Sequence, residues 1–160
     1  MLKLLGICIL LFTSILISGE LADRRRKSLL LCEELLRLVS YLRLQIGCFL
    51  RSPSDAVAGF NSKPLSEYDF LPLDDGADLR RGFCESRVPG AVGGECTRIV
   101  DSLFSSLGSG YLDDEVKLLD THRAQLCEVV EARRIDTGRQ VRLIRTLTAT
   151  VSLGFVILIM

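Results

Sequence analysis

The chain has 160 residues, 48% of them hydrophobic, and its acidic and basic side chains balance to a formal net charge of zero. This balance gives no indication of a nucleic-acid ligand, and the absence of Trp leaves no aromatic platform for bases or sugars. The six cysteines include no C-x-x-C pair, which excludes zinc and thioredoxin-type motifs. Helical spacing around Cys32, Cys48 and Cys127 favours small buried thiols in a reducing compartment over the alternative of a disulfide framework.

The chain opens on an apolar run, Leu4–Gly19, which is sixteen residues without a charge. As a helix this run would be about 24 Å long, and Lys3 can extend to the interface of a roughly 30 Å hydrocarbon core. The alternative is a cleaved signal peptide, for which Ile17 is bulky at the position three before a cut. We therefore predict a transmembrane helix at residues 1–20.

Basic residues stand on the inner side of both apolar ends. Four consecutive cations follow the first run, and five Arg residues between 133 and 145 precede the uncharged tail Thr146–Met160. Positive charges flank membrane helices on the cytoplasmic side. The pattern predicts a second transmembrane helix at 146–160 and a cytoplasmic domain at 21–145. The predicted membrane-flanking residues are Lys3, Arg24, Arg25, Arg26, Lys27, Arg139, Arg142 and Arg145.

A long helix is predicted over Ser28–Leu50, continuing the first membrane helix. Its apolar residues recur three or four apart, which places them on one stripe; they are Leu31, Leu35, Leu38, Leu42, Ile46 and Phe49. The next residues, Ser52-Pro53-Ser54-Asp55, predict the start of a short helix, with Ser52 as N-cap and Pro53 at the first position.

Gly and Pro residues divide the segment from Gly59 to Gly94 into short pieces, among which Asp78–Val88 is a candidate helix. Between Ser54 and Asp78 there are six acids and a single base. This acidic region is either a solvated loop or a surface for a partner. The residues proposed for a partner surface are Glu67, Asp69, Asp74 and Asp75.

Glu95–Leu107 is predicted as a helix, with Gly108 at the left-handed position that commonly follows a helix end. A last helix is predicted from Leu112, with a stripe formed by Leu112, Val116, Leu119, Leu126 and Val130. No segment alternates long enough to predict a strand. The fold class is therefore all-α, a helical bundle of about five to six helices with a transmembrane helix at each end.

No motif carries catalytic chemistry. His122, the single histidine, is interpreted as a helical surface or interface residue, because a nucleophile beside an oriented base is not evident. The stretch Val88–Thr97 does not fit a phosphate-binding loop, since Glu95 and Cys96 occupy the second Gly and Lys positions; it is interpreted as a loop. We predict no catalytic, cofactor-binding or metal-binding residues and no nucleic-acid partner.

Over its whole length the chain resembles one known family, the stage III sporulation protein AB family of endospore-forming bacteria. The resemblance is most specific at Met1-Leu2-Lys3-Leu4-Leu5-Gly6, at Leu107-Gly108 before the last helix, and at the closing Leu153–Met160. Gln45-Ile46 and Asp55-Ala56 look like the family's Glu-Ile and Glu-Ala pairs. The chain departs from the family at Pro53, at Phe49 where Gly is expected, and at Tyr111 and Glu115; residues 60–95 match poorly.

This resemblance implies a cytoplasmic helical domain similar to those of the inner-membrane platform proteins of type II secretion. It also implies a place in the channel between mother cell and forespore, in the mother-cell membrane, beside other channel subunits and a cytoplasmic ATPase, stage III sporulation protein AA. Homo-oligomerisation is left open. The alternative hypotheses are a tail-anchored scaffold or regulatory protein with a cleaved N-terminal signal, and a hydrolase built around His122.

Overall fold

The computed structural model describes the backbone of residues 2–71, 78–108 and 110–159 and the side chains of residues 19–20, 22–71, 78–108, 110–140, 143 and 146. These residues form seven α-helices and no β-strand, so the all-α prediction is confirmed with one or two helices more than expected. The helices are α1 (Leu2–Phe49), α2 (Pro53–Ala58), α3 (Lys63–Glu67), α4 (Leu79–Glu85), α5 (Val88–Val92), α6 (Gly94–Ser106) and α7 (Leu112–Ile159).

The chain divides into two compact units. One comprises Met1–Lys27 with Arg133–Met160, and the other, which we call the central unit, is Ser28–Ala132. All the buried hydrophobic side chains of the described residues form a single cluster between Leu31 and Val130, and this cluster belongs to the central unit.

The two predicted transmembrane segments have helical backbone within α1 and α7, but nearly all of their side chains lie outside the described residues. In the part of the chain that the structure describes, no helix combines the length and the apolar composition that crossing a membrane requires.

The side chains of the predicted α1 stripe form one side of the hydrophobic core. Its first five members, from Leu31 to Ile46, are each at most 2% exposed, as expected for residues three or four apart on one face. Phe49 was assigned to the same stripe, and that prediction is wrong, because its side chain is 62% exposed. The following chain explains the difference. Phe60 packs its ring 5.2 Å from that of Tyr41, so the returning segment covers α1 about two turns before its end.

The stripe predicted for α7 is confirmed at three positions: Leu119, Leu126 and Val130 are buried. Val116 is only partly buried and Leu112 is 40% exposed. The first turn of α7 therefore extends past the core in the same way as the last turn of α1.

Helices α1 and α7 are antiparallel in the central unit. Arg123 Nε donates a hydrogen bond to Ser40 Oγ at 3.1 Å, and Arg43 Nε donates to Asp120 Oδ1 at 2.8 Å. One turn further, a Cβ on Gly47 would lie only 3.3 Å from Val116 Cγ2. As the contacting residue number rises along α1 it falls along α7, which fixes both direction and register.

Two serines cap the short helices that follow α1. Ser52 Oγ accepts a hydrogen bond from the Asp55 amide at 3.2 Å, which confirms the predicted N-cap of α2. Helix α3, which the sequence did not predict, begins after Ser62, whose hydroxyl accepts from the Leu65 amide at 3.5 Å and donates to Glu34 at 2.8 Å. The buried Ser62 hydroxyl thereby ties α3 to α1.

Helices α4, α5 and α6 pack against one another. Phe70, Phe83 and Phe104 form an aromatic group with ring centroids 5.6 to 6.0 Å apart, in stacked and edge-on arrangements that aromatic rings favour. Arg80 Nε donates to Asp101 Oδ1 at 2.8 Å and joins α4 to α6 at the surface.

The segment interpreted as a loop, Val88–Thr97, contains helix α5 and the start of α6, so that interpretation is wrong. Val88 and Val92 are fully buried, and burial of these side chains supports a helix too short to show a periodic pattern. Gly93 separates the two helices at φ +81°, and Gly108 takes φ +87° after α6, the left-handed conformation predicted for it.

Candidate protein interaction surface

The predicted acidic surface is described only in part. Glu67 and Asp69 are exposed, while Asp74 and Asp75 lie outside the described residues. Asp69 Oδ2 accepts a hydrogen bond from Arg87 Nε at 2.7 Å, and the same guanidinium donates through Nη2 to the Glu67 carbonyl at 2.9 Å. Because Asp69 is paired, the described part of the acidic surface offers less unbalanced charge than the sequence suggested.

Only some of the predicted membrane-flanking basic side chains belong to the described residues. Arg24, Arg25, Arg26, Lys27 and Arg139 are exposed, whereas the side chains of Lys3, Arg142 and Arg145 lie outside the described residues.

His122, predicted as a surface or interface residue, is buried. It is 9% exposed, and its Nδ1 lies 2.9 Å from the Leu118 carbonyl of the preceding turn. The interaction that the structure gives this ring is thus with backbone and not with a carboxylate, so no oriented acid–base pair is described here. The sequence left surface and interface open for this residue, because the helix pattern does not show how much of α7 the other helices cover.

The cysteines show a mixed pattern. Cys32 and Cys96 are buried, but Cys48, Cys84 and Cys127 are exposed, which corrects the prediction of burial for Cys48 and Cys127. Partial desolvation of its sulfur and the nearby Asp101 carboxylate raise the pKa of the Cys84 thiol, although the residue is exposed. A raised thiol pKa disfavours the thiolate, and the side chain is therefore poorly suited to nucleophilic chemistry. Among the described residues no three His, Cys, Asp or Glu side chains are grouped to hold a metal ion.

The most distinctive surface feature of the central unit lies where α1 ends and α7 begins. Four large apolar side chains are exposed there: Phe49 at 62%, Leu50 at 71%, Tyr111 at 85% and Leu112 at 40%. We call these four residues the apolar patch. Scattered exposed apolar residues are common on proteins, but several grouped at the meeting point of two helices indicate a surface for a partner.

The antiparallel register places the end of α1, which carries Phe49 and Leu50, beside the start of α7, which carries Leu112. Both helices line a groove of about 420 Å³, formed on one side by the last turns of α1 and on the other by the first turns of α7. The groove residues are Arg43, Gly47, Cys48, Leu112, Asp113, Val116 and Lys117. Phe49 and Tyr111 immediately adjoin this groove along the chain.

Leu50 has a strained backbone. Its φ is +53°, in the left-handed region that a Leu residue rarely adopts, and its side chain is 71% exposed rather than held by packing. The conformation ends α1 and directs the chain into Ser52. The Arg51 amide donates a hydrogen bond to the Gln45 carbonyl at 3.3 Å, so Leu50 stands where a left-handed residue commonly ends a helix.

Acidic side chains border the patch. Asp113, Asp114 and Glu115 occupy the first turn of α7, where they also interact favourably with the helix dipole. None of the three is in an ion pair with another residue that the structure describes. The groove wall also carries two cations: Lys117, one turn after Asp113 on α7, and Arg43, which is engaged by Asp120. The patch therefore combines apolar contact area with unpaired negative charge.

A second groove, of about 380 Å³, runs between α6 and α7. Ile99 and Val129 form its floor, and its rim carries charges of both signs. The mixed rim contrasts with the apolar patch and does not specify one class of ligand.

The sequence did not point to the apolar patch. Phe49 fitted the helical stripe and Leu112 fitted the stripe of α7, so both were assigned to the core. The signal that could have separated them is their position beside helix-ending residues, Ser52-Pro53 on one side and Gly108 and Gly110 on the other.

No model of a known protein family matches this chain, and neither a curated protein nor a solved structure is significantly similar to it.

Proposed function

We propose that this chain is a non-enzymatic adaptor in the membrane channel between mother cell and forespore, as its resemblance to stage III sporulation protein AB implies. In this proposal residues 1–20 and 146–160 anchor it in the mother-cell membrane. The central domain faces the cytoplasm, where it works with an ATPase of the stage III sporulation protein AA type. Its role is then like that of a platform protein of type II secretion.

The observation that carries the adaptor role is the apolar patch. Four exposed apolar side chains contributed by two helices can supply the anchor residues that become buried when a protein interface forms.

Charge complementarity favours a partner with a basic rim. The unpaired acids Asp113, Asp114 and Glu115 stand beside the patch, so a docking face that is apolar in the centre and basic at the edge would match it. We assign this face to the ATPase. The acidic region at Glu67 is a second contact in the proposal, reduced by the pairing of Asp69 with Arg87.

The test is recruitment of the ATPase to membranes that contain this chain. We expect the triple variant Phe49→Ser, Leu50→Asn, Tyr111→Ser to reduce recruitment at least tenfold, since interface anchors each contribute about 2 kcal/mol or more. Asn at position 50 tolerates the left-handed backbone. The control variant Leu30→Ser, Ile135→Ser removes two apolar side chains that are exposed to a similar degree elsewhere, 54% and 58%.

Recruitment that is equal for wild type and the patch variant, with the circular dichroism spectrum unchanged, would contradict the assignment of the patch. Reversal of Glu67, Asp69, Asp74 and Asp75 to Lys tests the acidic contact in the same assay. Mass spectrometry of the intact protein separates the retained anchor from the cleaved signal, because cleavage would shorten the chain near Gly19.

A further inference from the structure

A segment of α1 is exposed on every side. The five residues Asp23–Lys27 are all exposed, although the helix continues without interruption on both sides of them. Helical residues are 100° apart around the axis, so four consecutive cations leave no direction more than about 100° wide without one. We call Arg24, Arg25, Arg26 and Lys27 the basic ring. The central unit starts at Ser28, and from Leu31 onward one face of the same helix is buried.

The charges of the basic ring are not engaged within the described residues. None of the ion pairs there includes a member of the ring, even though Glu20 and Asp23 stand four residues before Arg24 and Lys27. The segment Glu20–Lys27 contains four cations and two acids and so keeps a net charge of +2. A protein or duplex partner would approach from one side and reach only some of these cations, whereas a layer that surrounds the helix reaches all of them.

Along α1 the ring lies at the outer edge of the headgroup layer of a bilayer whose hydrocarbon core ends at Gly19. At 1.5 Å per residue, Arg24 to Lys27 lie about 7 to 12 Å beyond Gly19, the end of the uncharged run, and a headgroup region is about 5 to 8 Å deep. Side chains on a helix tilt toward its N-terminus, which here means back toward that run. Long Arg and Lys side chains can cover the remaining distance.

We propose that the basic ring binds the phosphates of anionic lipid headgroups and selects anionic lipid around α1. This inference rests on the membrane anchoring in the proposed function and adds the lipid class. Arg guanidinium groups bind phosphate through paired hydrogen bonds, so three of the four ring residues are of the type best suited to this anion. Each cation near an anionic surface favours the charged lipid by about fivefold.

The experiment uses the full chain reconstituted in vesicles of phosphatidylcholine and phosphatidylglycerol at equal amounts. After mild detergent extraction, native mass spectrometry counts the lipids that remain bound. We expect wild-type protein to retain phosphatidylglycerol over phosphatidylcholine by about fivefold or more, with the preference falling in high salt. The variant with all four ring residues changed to Gln should retain the two lipids equally.

The matched control changes Arg51, Lys63, Arg98 and Lys117 to Gln, four exposed cations of the central unit that lower the net charge by the same amount. It should keep the wild-type preference. An equal lipid preference in wild type and ring variant, or loss of preference in the control, overturns the proposal. Loss of preference in phosphate buffer but not in chloride of the same ionic strength assigns the ring to free phosphate and also overturns it.

Flotation of the vesicles after an alkaline wash is measured separately. If the chain fails to float, the anchoring in the proposed function is wrong. If it floats without a lipid preference, only the present inference is wrong. A DNA duplex that is shifted in a gel by wild type and not by the ring variant would assign the ring to nucleic acid instead.

Discussion

Arg43 on α1 and Asp120 on α7 form a two-point ion pair, with Nε 2.8 Å from Oδ1 and Nη2 3.2 Å from Oδ2. The pair lies one turn from the contact between Gly47 and Val116 and next to the groove that adjoins the apolar patch. The two residues are 77 positions apart in the sequence, so they meet only when α1 and α7 pack in this register. Loss of the pair would therefore report a change in the register of the two helices.

The first prediction concerns this ion pair. Arg43→Gln and Asp120→Asn should each lower the melting temperature slightly, and the double variant should lower it no further than either single variant, because both remove the same interaction. The loss should shrink in 1 M salt, where exposed charges are screened. Thermal unfolding followed by circular dichroism provides the measurement. Fully additive losses would show that the two side chains do not interact.

The second prediction concerns the close approach at Gly47. Ala in place of Gly within a helix gains about 1 kcal/mol, but a Cβ at this position lies 3.3 Å from Val116 Cγ2 and forces that side chain to move. We expect Gly47→Ala to be nearly neutral in wild type and stabilising by about 0.5–1 kcal/mol in a Val116→Ala background. Urea unfolding of the four variants tests this. An equal effect in both backgrounds would argue against the contact.

The third prediction concerns the aromatic group of the core. Phe83 is fully buried, with the rings of Phe70 and Phe104 at 5.7 and 5.6 Å. Phe83→Ala should reduce the free energy of unfolding by about 3–5 kcal/mol, because it removes both rings' partner and leaves a cavity. Phe83→Leu should cost less, about 1–1.5 kcal/mol. Tyr111→Ala, on an exposed aromatic residue, should stay within about 0.5 kcal/mol of wild type in urea unfolding.

The fourth prediction concerns pH and the pair Arg80–Asp101. The hydrogen bond and charge of the Arg80 guanidinium lower the pKa of the Asp101 carboxyl below its ordinary value. The pKa of Asp101 is lower in the folded than in the unfolded chain, so its ion pair with Arg80 stabilises the fold. This stabilisation is fully present above the unfolded pKa of about 3.9 and is lost as the pH falls through the folded pKa.

Wild type should therefore be more stable than Asp101→Asn at neutral pH, and the two melting temperatures should converge as the pH falls from 4 toward 2. Parallel curves over that range would show that Asp101 does not titrate with folding. Asp69→Asn serves as a control, because it removes a different surface pair, with Arg87, and should leave the effect of Asp101 unchanged.

Some features of the fold could be predicted from the sequence and others could not. The core stripe from Leu31 to Ile46, the cap at Ser52 and the left-handed Gly108 were all predictable, because each depends on residues at most a few turns away. The all-α class follows from the same local patterns. The short helices α3 and α5 were not predicted, since five residues are too few to show a period and are held by distant partners such as Glu34.

The sequence alone determined that two long helices with buried stripes would dominate this protein, because periodic apolar spacing is a local property that burial of one face requires. Only the tertiary structure decided where the stripes end. Phe49 and Leu112 continue the pattern yet are exposed, and His122 is buried, because exposure depends on which distant segment covers each helical turn. The returning chain contacts α1 where Phe60 packs on Tyr41, whereas Phe49, about two turns further along the helix, is left exposed.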